Sequence, residues 1–198
     1  VSDIMWSASG CPVSTAQPCL CGTLLDTYGT HQLVCPRLCS RLARHSMCND
    51  VIRETFRSAK IPATLEPVGL LRHDGRRPDG VSTVPMERGR SVAWDFTCVN
   101  RLATSHLSLG TQEGPTVANQ AETRKREHYK DLPVNIIFEP VAVETLGGIG
   151  QGSWAFLKRL ARRVQEETGD KRAFAFLRQR ISVAIQRGNA SCVVEPLS

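Results

Sequence analysis

The chain of 198 residues carries 25 lysines and arginines, 19 acidic residues and eight cysteines. This length suits one domain with a small appendage, and no apolar run approaches the ~20 residues of a membrane-spanning helix. The net charge of +6 indicates only weakly a polyanionic partner. Because the chain starts at Val1 and not at a Met, we expect it to be a piece of a longer protein. Because it has no signal peptide, we expect that protein to be intracellular and its cysteines to form no disulfides.

Most of the cysteines lie near the start of the chain, after an irregular leader at residues 1–18. Four side chains follow the pattern Cys-x-Cys-x9-His-x3-Cys, and these are Cys19, Cys21, His31 and Cys35. Two closely spaced cysteines followed by a His and a Cys can close around one tetrahedral Zn²⁺. A unit this short has no room for a core, so the metal would supply its folding energy. We therefore predict a zinc knuckle at residues 19–41.

Three neighbouring side chains could act as zinc ligands instead, and these are Cys11, Cys39 and His45. Cys48 is expected to face the core from a helix. The competing interpretation of the whole group is a set of reduced, partly buried thiols that bind no metal.

Hydrophobic periodicity predicts an α/β (α+β) fold in which a mixed sheet is flanked by helices. The order is helix, three strands, helix, strand and two final helices. The strands are expected at residues 64–71, 80–86, 91–98 and 134–143, and the helices before the last strand at residues 42–59 and 116–132.

Two basic amphipathic helices are predicted to close the chain after a glycine-rich turn at residues 147–152. Between residues 153 and 188 the chain carries nine lysines and arginines against three acidic residues, so its excess charge lies in the extension 146–198. Such a surface can follow a nucleic-acid backbone. The candidate contacts are Arg77, Lys158, Arg159, Arg162, Arg163, Arg178, Arg180 and Arg187.

Two aspartates in the middle of the chain stand out. Asp79 begins one predicted strand, and Asp95 lies between Trp94 and Phe96 within the next, where an unpaired charge would be costly. A turn at residues 87–90 could bring both carboxylates to one end of the sheet. Such a pair suits a hard divalent cation such as Mg²⁺ or Mn²⁺.

The helix after these strands carries a lysine on its apolar face. Ala118, Ala121, Lys125 and Tyr129 fall on one helical stripe, which should pack on the sheet. A lysine facing two aspartates can orient a water molecule or stabilise the negative charge of a phosphoryl transition state.

The residues Arg77-Pro78-Asp79, the later Asp95 and the helical Lys-x-x-x-Tyr resemble the PD-(D/E)xK nuclease superfamily. The order of helix, three strands, helix and strand is also that of its core. The chain is most similar to the restriction-like endonuclease domain of site-specific non-LTR retrotransposons. Related domains lie at the C-terminal end of reverse-transcriptase polyproteins and follow a CCHC knuckle. The resemblance implies a nuclease core at residues 42–145.

The resemblance also implies an activity and its partners. The domain would be a Mg²⁺- or Mn²⁺-dependent endonuclease that nicks double-stranded DNA in the nucleus and thereby primes reverse transcription. Element RNA or an adjacent reverse-transcriptase domain would be further partners. Asp79, Asp95 and Glu66 would be metal ligands, while Lys125, supported by Tyr129, would replace the usual strand lysine, whose position is Thr97.

Two other functions remain open from the sequence. Thr97 is consistent with a catalytically inactive nucleic-acid-binding domain of the same fold. The second alternative is a zinc-stabilised protein-interaction domain, which would show no salt-dependent binding to DNA.

Overall fold

A computed structural model describes residues 12, 15–35, 37, 40–70, 75–100 and 116–194. The helices are α1 Thr30–Val34, α2 Ser40–Ser58, α3 Thr116–His128, α4 Gln151–Thr168 and α5 Ala173–Val194. The strands are β1 Ala63–Leu65, β2 Gly80–Ser82, β3 Ser91–Val99 and β4 Ile136–Glu144. From α2 onward the predicted order of helices and strands is confirmed. Most of the predicted leader, together with Cys11 and Cys39, lies outside the described residues.

The first two strands are shorter than predicted. β1 ends at Leu65 because Glu66 adopts a φ of 49°, and Pro67 then lacks the N–H that a ladder needs. A short 3-10 helix, Val68–Leu70, follows. β2 pairs only as far as Ser82, three residues before Pro85.

The sheet is mixed and has the order β1-β2-β3-β4. β1, β2 and β3 pair in antiparallel fashion, whereas β4 runs parallel to β3. The parallel pair requires a crossover, and α3 is the helix within that connection. The register places Gly80 opposite Trp94, so Asp79 lies beside the middle of β3.

One face of the sheet carries the main core. Val92, Trp94 and Phe96 of β3 point to this face, and the Trp94 ring stacks on Phe56 with 4.9 Å between centroids. Gly80 is required here, because a Cβ at that position would collide with the Trp94 indole. The helices α2, α4 and α5 supply the rest of the core, including Cys48, Ile52, Phe156, Leu157, Leu160, Leu177, Ile181 and Ile185.

The opposite face is covered by α3. Ala118 and Ala121 of this helix pack against Ala142 of β4, and these small side chains allow the helix to approach the sheet closely. Because side chains alternate along a strand, Asp95 and Thr97 point to this face. The helix therefore carries Lys125 over the acidic residue of β3.

The glycine-rich segment connects β4 to α4, as predicted. Its backbone meets the carboxylate of Glu122, which accepts hydrogen bonds from the N–H of Gly152 at 3.0 Å and the N–H of Ser153 at 2.7 Å. A Cβ at Gly150 would collide with this carboxylate. The Glu122 side chain of α3 thus caps the N-terminus of α4, and these hydrogen bonds hold the two helices together.

Candidate functional site

The structure brings the four predicted zinc ligands together. The ligand atoms of Cys19, Cys21, His31 and Cys35 all lie within 4.8 Å of one another. The two sulfur atoms of Cys19 and Cys35 are 3.5 Å apart, and Cys21 Sγ lies 3.3 Å from His31 Nε2. Three sulfurs and one imidazole nitrogen at this spacing can bind a metal ion, and this set is called the Cys/His cluster below.

Local turns create the cluster. The N–H of Cys19 donates to Thr23 O, and the N–H of Gly22 donates to Cys19 O, which brings the first two cysteines to one turn. The carboxylate of Asp26 then accepts hydrogen bonds from the N–H groups of Thr30 and His31, at 3.0 and 2.7 Å. These bonds hold the start of α1, so its histidine faces the cysteine turn.

The thiols of the cluster differ in acidity. Hydrogen bonds from Thr23 lower the pKa of the Cys21 thiol to about 6, whereas burial raises the pKa of Cys35. A thiolate is the form that binds a metal, so the turn favours the ligand state of Cys21. A metal ion would extend the same effect to the buried sulfurs.

A buried arginine connects the cluster to the core. Arg44 of α2 is 3% exposed, and its guanidinium donates to Leu33 O at 3.2 Å and to Asn189 Oδ1 at 2.7 Å. It therefore ties α1, which carries a cluster ligand, to α5. A Cβ at Gly188 would collide with the Arg44 side chain, so a glycine is required on α5.

A second candidate site lies on the α3 face of the sheet, in a cleft of about 650 Å³. We call it the acidic cleft, after its two aspartates. It is lined by His45, Arg76, Arg77, Asp79, Asp95, Phe96, Thr97, Val99, Ala121, Arg124, Lys125, His128 and Tyr129. Residues from α2, from the segment before β2, from β3 and from α3 converge here.

Asp95 and Lys125 form the centre of the cleft. Lys125 Nζ lies 2.8 Å from Asp95 Oδ1, and Asp95 is only 4% exposed. Burial raises the pKa of the Asp95 carboxyl, the charge of Asp79 raises it further, and Lys125 opposes both effects. Thr97 lines the same cleft two residues further along β3. Lys125 thus reaches the aspartate from the helix, as the sequence predicts.

Asp79 is held from two sides. Its Oδ2 accepts a hydrogen bond from the N–H of Phe96 at 2.6 Å and lies 2.9 Å from His45 Nε2. The hydrogen bond to Asp79 raises the pKa of His45, while burial opposes that shift. The sequence suggests His45 only as an alternative zinc ligand, but the structure places it in the acidic cleft and outside the Cys/His cluster.

A sequence signal for His45 does exist. His45, Asn49, Ile52 and Phe56 recur at the spacing of one helical stripe, which is the stripe that faces the core. Two polar residues on such a stripe need partners within the fold. The partner of His45 is an aspartate 34 positions away along the chain, and only the tertiary structure identifies it.

Tyr129 lines the cleft, whereas Glu66 does not. The buried Tyr129 hydroxyl donates to Arg77 O at 2.8 Å and so holds the segment that leads to Asp79. Glu66 is exposed and forms an ion pair with Arg77. The Glu66 N–H donates to Asp79 O, so this residue contacts the aspartate through the backbone and not through its carboxylate.

The predicted nucleic-acid contacts lie mostly away from the cleft. Of the eight basic residues, only Arg77 lines it, because α4 and α5 pack on the opposite face of the sheet. Arg159 forms ion pairs with Glu87 and Glu139, and Arg178 lies over the half-exposed Trp154 ring at 4.7 Å from its centroid. The remaining five are Lys158, Arg162, Arg163, Arg180 and Arg187, which are exposed on α4 and α5.

Two arginines outside the eight candidate contacts also lie at the cleft. Arg76 and Arg124 line it together with Arg77 and Lys125. Arg124 precedes Lys125 on α3, and Arg76 approaches the His128 ring with 3.1 Å between NH1 and Nε2. The cleft thus combines two carboxylates with four cationic side chains.

The chain matches no protein-family model and no curated protein. Within residues 15–35, 40–70, 75–100 and 116–194, no helix is both long and apolar enough to cross a membrane.

Proposed function

We propose that the protein is a metal-dependent DNA endonuclease domain that nicks one strand of a duplex. It would belong to the PD-(D/E)xK superfamily, in the group found in retrotransposon reverse-transcriptase proteins that act in the nucleus. The observation that carries the proposal is the convergence of Asp79, Asp95 and Lys125 in one cleft, with Lys125 Nζ at 2.8 Å from Asp95 Oδ1. A buried acid beside a lysine, in a cleft lined by arginines, suits phosphodiester chemistry.

The acidic cleft would hold a divalent cation. The raised pKa of Asp95 reflects burial and repulsion from Asp79, and Lys125 does not fully compensate for these effects. Among the described residues, no hydrogen bond reaches Asp79 Oδ1, whereas Oδ2 has two partners. Asp79 and Asp95 would hold Mg²⁺ or Mn²⁺, and Glu66 is too exposed and engaged with Arg77 to be a third ligand in this arrangement. When bound, the ion acidifies the attacking water and polarises the scissile phosphate.

The protein's own side chains would complete the chemistry. Lys125 would orient the attacking water and stabilise the negative charge that develops on the phosphate. Arg76 and Arg124 would hold the phosphates on either side. Tyr129 would fix the backbone of Arg77 next to Asp79, and its hydroxyl also interacts with the Asp95 carboxyl and lowers the pKa of that group.

The Cys/His cluster would bind Zn²⁺ and serve as a DNA-holding element. Three cysteines and one histidine are a zinc ligand set, and their proximity supports this assignment. The exposed basic residues of α4 and α5 would contact the duplex beyond the cleft, and that part of the proposal rests on charge alone. The same surface could instead meet element RNA or an adjacent reverse-transcriptase domain.

A plasmid-nicking assay with Mg²⁺ or Mn²⁺ tests the proposal. We expect the wild-type protein to convert supercoiled plasmid to the nicked form, and EDTA to stop the reaction. Asp79→Asn and Asp95→Asn should abolish nicking, and Lys125→Ala should lower its rate by about 10²–10³-fold. Lys130→Ala is the matched control, because Lys130 is an exposed lysine that pairs with Glu127 outside the cleft.

Other results would favour the alternatives. Intact plasmid that still shifts on a gel would indicate an inactive DNA-binding domain, which Thr97 at the strand position of the superfamily lysine makes the main competitor. The absence of both nicking and salt-dependent DNA binding would indicate a zinc-stabilised protein-interaction domain.

A further inference from the structure

We propose that a relay of hydrogen bonds from Trp94 through Asn49 to His45 positions the Asp79 carboxylate, so that Oδ2 is occupied and Oδ1 is presented to the cation. The relay rests on the proposed function only for its effect on metal binding. Its members come from β3 and α2, and it ends on the segment that precedes β2. His45 is thus assigned as a positioning residue.

The relay begins at the indole N–H of Trp94, a group that can donate a hydrogen bond but cannot accept one. The Trp94 side chain is 0% exposed, and its indole N–H donates to Asn49 Oδ1 at 2.9 Å. An indole has no acceptor, so the Asn49 amide must turn its oxygen toward Trp94. A flipped amide would leave a buried N–H without a partner. The orientation of Asn49, itself a buried residue, is therefore determined by the core.

The second step orients the histidine ring. With its oxygen facing Trp94, Asn49 presents Nδ2 to the His45 ring, 3.3 Å from Nδ1 and 3.4 Å from Nε2. Because the amide nitrogen is nearly equidistant from the two ring nitrogens, it lies against the ring and not along the Nδ1 lone pair. Nε2 faces Asp79 at 2.9 Å, so this nitrogen carries the proton that the ring donates to the carboxylate.

The last step leaves one oxygen of Asp79 available. Oδ2 accepts the His45 Nε2–H and also the backbone N–H of Phe96 at 2.6 Å. Two donors from different elements prevent the carboxylate from rotating. Among the described residues, nothing donates to Oδ1, so this oxygen is set for a cation before one arrives.

The position of His45 argues against a role in packing alone. Its side chain is 41% exposed and lines the cleft, and its ring meets Phe96 edge-on with 5.9 Å between centroids. A core residue would be enclosed, and a surface histidine would not contact both a buried amide and a carboxylate. The polar relay instead connects the buried Trp94 to His45 at the wall of the cleft and so holds the His45 ring in place.

Two measurements on the full chain test the relay. The first is the affinity for Mn²⁺, titrated calorimetrically into wild type, His45→Ala, His45→Gln and Ser46→Ala. We expect His45→Ala to weaken Mn²⁺ binding by about tenfold or more, as is typical when the partner of a metal ligand is lost. His45→Gln should recover part of the affinity, because its amide can still donate to Asp79. Ser46→Ala, at the adjacent exposed position, should bind as the wild type does.

The second measurement reads the tautomer directly. Long-range ¹H–¹⁵N spectra, recorded at a pH where the ring is neutral, should show His45 protonated at Nε2 in the wild type. Trp94→Phe removes the donor that orients Asn49, and the loss of this constraint should shift the ¹⁵N signals of the His45 ring. Its melting temperature, measured beside that of wild type, establishes that the variant is folded.

The outcomes separate the relay from the proposed function. Unchanged Mn²⁺ affinity in His45→Ala, or a wild-type ring protonated at Nδ1, would overturn the relay and leave the nuclease proposal standing. A wild type that binds no Mn²⁺ would instead contradict the proposed function, and the tautomer spectra would still decide whether the relay exists.

Discussion

The Cys/His cluster and the acidic cleft are the two candidate sites of the protein, and they are built in opposite ways. The cluster draws its ligands from 17 consecutive residues, 19–35, and has a hydrophobic cluster of only Cys19, Leu25 and Cys35. The cleft draws its residues from positions between 45 and 129 and stands on a large core that shares its sheet. We therefore expect the fold of the cluster to depend on a bound metal, whereas the main core supports the cleft.

The difference has a physical origin. Turn hydrogen bonds and a few apolar contacts cannot offset the entropy of ordering a short segment, so metal coordination must contribute. In the cleft the main core provides that stability, and it can tolerate a buried carboxylate whose pKa is raised. A metal ion would thus stabilise the fold at one site and relieve repulsion at the other.

Removing the metal from the Cys/His cluster should have the largest effect. In zinc-finger peptides the ion contributes about 10–16 kcal/mol to folding, so a strong chelator should unfold residues 19–35. Hydrogen exchange should show loss of protection there, while the amides of β3 remain protected. Metal analysis should find one zinc per chain before chelation.

Two variants provide the controls for that experiment. Cys35→Ala should reproduce the effect of chelation, whereas Cys98→Ala, at a free cysteine outside the cluster, should keep the zinc. If residues 19–35 stayed protected without metal, the contrast between the two regions would be wrong.

Breaking the link between the regions should have an intermediate effect. Arg44→Ala removes two hydrogen bonds from a buried guanidinium and leaves Asn189 and the Leu33 carbonyl without that partner. We expect a loss of about 3 kcal/mol in the free energy of unfolding, measured by urea denaturation. Arg53→Ala on the same helix removes only an exposed pair with Asp50 and should cost about 0.5 kcal/mol or less. Equal losses in the two variants would mean that Arg44 does not anchor the cluster.

The smallest expected effect is a gain in stability, whereas the preceding variants lose stability. Because burial and Asp79 raise the pKa of Asp95, the folded state favours its protonated form. The charged form therefore destabilises the metal-free protein at pH 7, and this cost disappears as the pH falls through the pKa of Asp95. Asp95→Asn should raise the melting temperature by a few degrees at pH 7 and by less in acid.

The control for this variant is Glu127→Gln, an exposed acid of the same helix as Lys125, which should leave the melting temperature unchanged at both pH values. A lower melting temperature of Asp95→Asn at pH 7 would show that the ion pair with Lys125 outweighs burial and repulsion. The acidic cleft would then resemble the cluster in supporting the fold.

Much of the fold could be predicted because its elements have local causes. The stripe Cys48, Ile52 and Phe56 predicted α2, and the apolar run before the glycine-rich turn predicted β4. The lengths of β1 and β2 were wrong, because the positive φ of Glu66 and the extent of pairing depend on neighbouring strands.

The same distinction between local and long-range causes applies to the two sites. Spacing alone identified the four residues of the Cys/His cluster, since a knuckle is closed by turns within one short segment. The predicted start of a strand at Asp79, the apolar run around Asp95 and the helical stripe of Lys125 also pointed to these three residues. Whether Glu66 or His45 would reach the cleft depended on side-chain direction across separate elements, which no local pattern encodes.

The sequence by itself predicted the order of elements, the four residues of the Cys/His cluster and the three charged residues that meet in the cleft. Only the tertiary structure decided that His45 holds Asp79, that Arg44 joins the cluster to the core, and that α4 and α5 lie behind the sheet. The reason is that short-range periodicity records which side chains are buried, whereas the pairing of buried polar groups is settled by contacts between residues far apart in the chain.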